Sequence, residues 1–133
     1  VRNVDITRWT PPPEGLVADV SFISLVKALA SLLGPTPAIQ WALVLVKPQF
    51  EADPSEIEPG GVVRDEVVVT RTVLTVGDFL ENHGLSVKAV VPSRLRGPAG
   101  NREFFISATR GGEAAAWRAA VPQTIHAVWR KEK

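Results

Sequence analysis

Three side chains in this sequence could act together on one hydroxyl group. Asp19 directly follows the apolar run Leu16-Val17-Ala18, and Lys47 directly follows the longer run from Trp41 to Val46. Glu103 opens a third apolar stretch, Phe104-Phe105-Ile106. A lysine held between two carboxylates can orient a hydroxyl nucleophile and stabilise negative charge as its proton leaves. Taken singly, each charge would only mark where a strand meets water. Convergence of all three on one sheet edge would make a site.

The surrounding elements decide whether they converge. Leu16–Ala18 reads as a short buried strand. Apolar residues at 22, 25, 26, 29, 32 and 33 follow helical spacing, with Ser21 or Ser24 as cap and Gly34-Pro35 as stop. Ile39–Val46 is almost continuously hydrophobic, the pattern of a strand covered on both faces. Residues 47–65, rich in proline and acidic groups, read as a long and mobile or functional loop. A second helix starts at Asp65-Glu66, buries Val69, Val73, Val76 and Leu80, and ends at Asn82-His83-Gly84. Leu85–Val91 and Arg102–Ala108 read as strands around a Gly/Pro loop from Ser93 to Asn101. Residues 113–129 read as a tail helix broken or restarted at Pro122.

Strand–helix alternation implies parallel strands, with the last strand antiparallel and beside the second. Ligands of such sheets bind beyond the carboxyl ends of the strands. Asp19, Lys47 and Glu103 would then share one rim. The first strand is apolar and nothing in the chain evidently covers its edge, as if the sheet continued further.

Composition narrows the chemistry. The chain has 133 residues, 45% hydrophobic and 22% charged, the mix of one globular domain. With no cysteine there are no disulfides, and a cytoplasmic setting is expected. No apolar run is long enough for a transmembrane helix. There is no methionine, even at position 1, so Val1 is expected not to be the natural start. His83 and His126 fit no zinc spacing, and no metal is expected. No G-x-S-x-G motif and no Gly-rich strand–turn–helix for a nucleotide cofactor is present. Residues 67–133 carry 10 basic against 5 acidic groups, while residues 1–66 carry 5 against 9. Arg94, Arg96 and Arg102 flank the Gly/Pro loop and are candidate phosphate contacts. Trp41 is expected in the core, Trp117 and Trp129 in the packing of the tail helix, and Trp9 is a candidate for base stacking.

Four ordered strings carry a family resemblance. They are Ala18-Asp19-Val20-Ser21-Phe22-Ile23-Ser24-Leu25, Leu45-Val46-Lys47-Pro48-Gln49-Phe50-Glu51, Gly60-Gly61-Val62-Val63-Arg64-Asp65, and Gly97-Pro98-Ala99-Gly100-Asn101-Arg102-Glu103-Phe104-Phe105. Over roughly residues 15–108 the chain resembles the TlyA family, FtsJ-like ribosomal RNA 2′-O-methyltransferases often labelled hemolysin A. The resemblance implies a Lys-Asp-Lys-Glu tetrad whose last three members match Asp19, Lys47 and Glu103. It implies S-adenosylmethionine as methyl donor, with Asp19 at its site, and ribosomal RNA as partner. Arg64, Arg94, Arg96, Asn101 and Arg102 become the candidate RNA contacts.

The family's S4-type RNA-binding domain, first tetrad lysine and Gly-rich cofactor loop have no counterpart here. Its glycine-containing loop after the Phe-Glu pair is replaced by Ala52-Asp53-Pro54-Ser55. Residues 1–133 therefore read as a partial domain. The expected fold is α/β, the C-terminal half of a Rossmann-like methyltransferase sheet, mostly parallel with one antiparallel strand. The expected function is ribose 2′-O-methylation, with the isolated chain inactive and a poor binder of the donor. The alternative is a non-catalytic module that binds RNA or a partner protein.

Overall fold

The computed structural model describes residues 8–33, 39–111 and 116–131. The expected Gly34-Pro35 stop and the start of the tail segment lie outside them. Strands β1 (Gly15–Ala18), β2 (Trp41–Val46), β3 (Leu85–Pro92) and β4 (Phe104–Arg110) form one sheet in the order β1-β2-β4-β3. β1 and β2 are parallel, and β4 runs antiparallel to both β2 and β3. The antiparallel strand therefore lies beside the second strand, as expected.

Helix α1 spans Leu25–Leu33 and buries Leu25, Ala28, Leu29, Leu32 and Leu33. It begins three residues later than the apolar spacing suggests. Phe22 adopts φ 63°, a left-handed conformation that cannot propagate a right-handed helix. Of the two expected caps, Ser24 serves, its Oγ accepting from the Val26 N–H at 3.2 Å.

Helix α3 (Glu66–Asn82) is capped by Asp65, whose carboxylate accepts from the Val67 N–H. It buries Val69, Val73, Val76 and Leu80 against the sheet. Each such side chain contributes roughly 1.5–3 kcal/mol relative to exposure. Helix α4 (Trp117–Arg130) lies across α3 and β3. It runs through Pro122 without the expected break. Proline forfeits one bond to the carbonyl four residues back, but Trp117, Val121, Ile125 and Val128 form a buried stripe that holds both halves in line.

Two further expectations are corrected. Residues 47–65 are no structureless loop. Helix α2 (Pro48–Glu51) is followed by a 3-10 turn at Pro54–Glu56, which overlaps the segment that departs from the family pattern. Asp53 caps that turn through the Ser55 N–H, while Glu56 accepts from the Asp53 N–H and pairs with Arg71. The bonds from Ser55 hold the Asp53 carboxyl below its usual range, and Arg71 does the same for Glu56.

The second correction concerns β2, which is covered on one face only among the described residues. Ala42, Val44 and Val46 are buried, whereas Trp41, expected in the core, is 45% exposed and Leu43 36%. Val17 on β1, Val91 on β3 and Phe105 on β4 are likewise exposed. The buried strand residues Ala18, Ala42, Val44, Val46, Leu85, Val87, Phe104, Ile106 and Ala108 share one core with the helices.

Candidate functional site

The sheet register builds the site. Val46 pairs with Phe104, so the next residues at that edge are Lys47 and Glu103. Asp19 leaves β1 at the same rim, one strand over. Lys47 turns the chain from β2 into α2, and Pro48 at the first helical position fixes that turn.

Lys47 Nζ lies 2.5 Å from Asp19 Oδ1 and donates to Ser21 Oγ at 3.2 Å. The pair is asymmetric: the lysine side chain is 14% exposed and the aspartate 61%. A cation with restricted access to water thus faces an anion open to it. Glu103 is buried, and its Oε2 accepts from Gln49 Nε2 at 3.4 Å, a long bond. The other amide atom, Gln49 Oε1, is buried without a hydrogen-bond partner. The rim thus carries the three predicted residues in two separate contacts, Lys47 on Asp19 and Ser21, and Glu103 on Gln49. A Cβ added to Gly97 would stand 2.7 Å from Glu103 Oε2, so any larger residue here would push the Glu103 carboxylate aside.

Glu51 clamps the rim from behind. Its two oxygens accept from Ser24 Oγ and the Leu25 N–H, both at 2.8 Å, which ties α2 to the start of α1. Burial raises its carboxyl above the usual value and outweighs the opposing hydrogen bonds. Gln49 and Glu51 were not singled out from the sequence, and Ser21 was read only as a candidate helix cap. Gln49 and Glu51 do sit in one helical turn with Lys47, and that spacing was the available signal.

The candidate RNA contacts divide. Arg64, Arg96 and Arg102 line one cleft of about 140 Å³ together with Val63, Asn101 and Trp129. Arg94 is exposed on the same loop outside that lining. Asn101 is 2% exposed and both ends of its amide are bonded within the chain. Its role is to staple two loops. Elsewhere on the rim, Phe22 is 89% exposed with its ring 5.1 Å from that of Phe50. These two rings, with Lys27, line an open depression of about 330 Å³. Trp9 is exposed. Among the described residues no cluster of His, Asp and Glu has the makings of a metal site, and no helix is long and apolar enough to cross a membrane.

An open sheet whose antiparallel strand lies between its second and third parallel members, with charged groups at the strand ends, defines an α/β methyltransferase fold. The chain belongs to the FtsJ-like methyltransferase family, which matches residues 3–110. It is 42% identical over 91 residues to the 16S/23S rRNA (cytidine-2′-O)-methyltransferase TlyA of Mycobacterium tuberculosis, covering 68% of this chain and 34% of that protein. It is 28% identical over 93 residues to Hemolysin A of Brachyspira hyodysenteriae, covering 70% and 39%. Among solved structures, a candidate hemolysin from Streptococcus thermophilus superposes with a TM-score of 0.79 at 28% identity, over 98% of this chain and 49% of that one. The chain spans about a third of the length of the curated relatives it matches.

Proposed function

We propose that this chain carries the hydroxyl-activating rim of a ribosomal RNA ribose 2′-O-methyltransferase. The observation that carries the reading is Lys47, shielded from water and held 2.5 Å from Asp19 at the carboxyl ends of two parallel strands. Asp19 and Ser21 fix the direction of the ammonium group. Lys47 then presents a cation where charge develops on the 2′-oxygen, and a pre-oriented charge loses nothing to reorganisation. Glu103, aligned by Gln49, keeps the neighbouring wall negative and would hold a second cation beside the first.

S-adenosylmethionine is the methyl donor the family implies, and it supplies an electrophilic methyl group. The residues present fit it only in part. Asp19 is open to a ligand at the unpaired edge of β1, but the sequence has no glycine-rich turn to cradle an adenosine. We assign the donor no contact beyond Asp19.

Replacing Lys47 by Ala in the gene product that carries this chain tests the reading. Methyl transfer to ribosomal subunits should fall about a hundred- to a thousandfold, the usual loss of one charge-stabilising donor. The circular dichroism spectrum should stay unchanged. Undiminished transfer would remove Lys47 from the reaction. The alternative module reading draws on the bare apolar sheet face, and it predicts binding that ignores Lys47.

A further inference from the structure

We infer that the cleft lined by Arg64, Arg96 and Arg102 is a phosphate-binding site for the backbone of the RNA. This inference rests on the proposed function and deepens it. The three guanidinium groups come from two loops far apart in sequence. Arg96 and Arg102 flank the turn from Gly97 to Asn101, which closes through bonds from the Gly97 N–H to the Asn101 carbonyl and from the Gly100 N–H to the Gly97 carbonyl, each 2.9 Å. Arg64 follows the Gly60-Gly61 loop. Asn101 locks the two loops together by accepting from the Val63 N–H at 2.9 Å and donating to the Gly61 carbonyl at 2.8 Å. The Trp129 indole N–H donates to the Arg64 carbonyl at 3.2 Å, so α4 fixes the third arginine. The cleft is thus a braced frame.

Size and charge select the ligand. A cleft of about 140 Å³ has room for a phosphate group with part of its hydration shell. Pockets that enclose drug-sized molecules begin near about 300 Å³, so the cleft matches one phosphate and not an enclosed nucleotide. Arginine presents the planar fork that matches phosphate oxygens. Arg64 also pairs with Glu58, but both side chains are more than half exposed. An exposed pair of this kind is worth only about 0–1 kcal/mol, so a phosphate can displace the carboxylate. The turn carrying Arg96 and Arg102 starts against Glu103 at Gly97. A backbone phosphate in the cleft would therefore lie just outside the reactive rim and set which ribose enters it.

The test is fluorescence anisotropy of the purified chain with a short mixed-sequence single-stranded RNA, across a range of salt. Arg96→Gln and Arg102→Gln should each weaken binding about tenfold and lower the slope of log K against log salt by about 0.7, the value for one phosphate on a single strand. Glu58→Gln should tighten binding several-fold by releasing Arg64. Arg118→Gln and Asp78→Asn make the same charge changes at an ion pair elsewhere on the surface, and each should move affinity less than twofold. If the arginine variants merely track Arg118→Gln, or if the parent chain fails to bind the RNA, the cleft is not a phosphate site. The readout needs no methyl transfer. Loss of the cleft with Lys47-dependent methylation intact, or the converse, separates this inference from the enzymatic reading.

Discussion

The Asn101 side chain accepts a hydrogen bond from the Val63 N–H across 38 residues of sequence, and its own amide N–H₂ returns a bond to the Gly61 carbonyl. The Val63 contact is buried and the Gly61 contact is partly so. One side chain thus satisfies the backbone of a loop that has no strand or helix to do so.

Replacing Asn101 by Ala should cost about 1–3 kcal/mol in urea unfolding, because the buried Val63 N–H loses its partner while the exposed Gly61 carbonyl can turn to water. Asn101→Asp should be as damaging near neutrality. Its carboxylate would face the Gly61 carbonyl with no proton to give, and the deficit should narrow in acid as that group protonates. A loss under about 0.5 kcal/mol for the alanine variant would show that water replaces the staple.

Glu51 makes a pH prediction whose sign is fixed by its raised carboxyl. The native state holds this proton more tightly than the unfolded chain does. Its contribution is therefore fully present below the ordinary value of 4.5 and is lost as pH rises through the raised folded value. Glu51→Gln keeps an acceptor for the Leu25 N–H and carries no charge. Subtracting its melting profile from that of the parent should leave a difference that falls as pH climbs above 4.5 and then levels. A flat difference would mean that Glu51 titrates normally.

How much of this could be read from the residues depends on the range of the interactions. The rim was legible because strand ends are local signals and parallel topology fixes which ends coincide. Asp19 and Lys47 pair, and Glu103 lies beside Lys47 in the strand register, for that reason alone. The cover on Glu51 was not legible, since its partner lies 26 residues away and no local pattern encodes it. Phe22 fits the apolar spacing of a helix and yet stands outside it, because a left-handed backbone overrides side-chain pattern. Trp41 fits a core strand, but hydrophobic type does not tell a buried face from a bare one. Pro122 reads as a break because the local cost is visible, whereas the stripe of α4 against its neighbours is a tertiary effect.

The bare sheet face leads to a solution prediction. Val17, Trp41, Leu43, Val91 and Phe105 are exposed, and β1 is an edge strand with Val17 67% exposed. Apolar surface of this kind binds other apolar surface, and an unpaired edge invites strand addition. The chain should bind a hydrophobic reporter dye while fully folded and should self-associate as concentration rises. Val17→Thr with Leu43→Thr keeps β-branched or strand-compatible side chains and should cut both effects at little cost in melting temperature. Dye binding that ignores these substitutions would place the sticky surface elsewhere.

Gly77 lies inside α3, where alanine ordinarily adds about 0.8–1 kcal/mol of helix stability. Here the opposite is expected. A Cβ at position 77 would stand 2.2 Å from the Trp117 ring, far inside contact distance. The ring cannot slide away easily, because its indole N–H donates to Glu81 at 2.9 Å and its body is buried between α3 and α4. Overpacking of this sort costs about 1–3 kcal/mol, which exceeds the propensity gain. Gly77→Ala should therefore lower the melting temperature and loosen α4. The same substitution made in a Trp117→Leu background should be neutral or stabilising, since the obstructing ring is gone. A stabilised single variant would mean that α4 yields at no cost and that Trp117 is not the constraint on this helix pair.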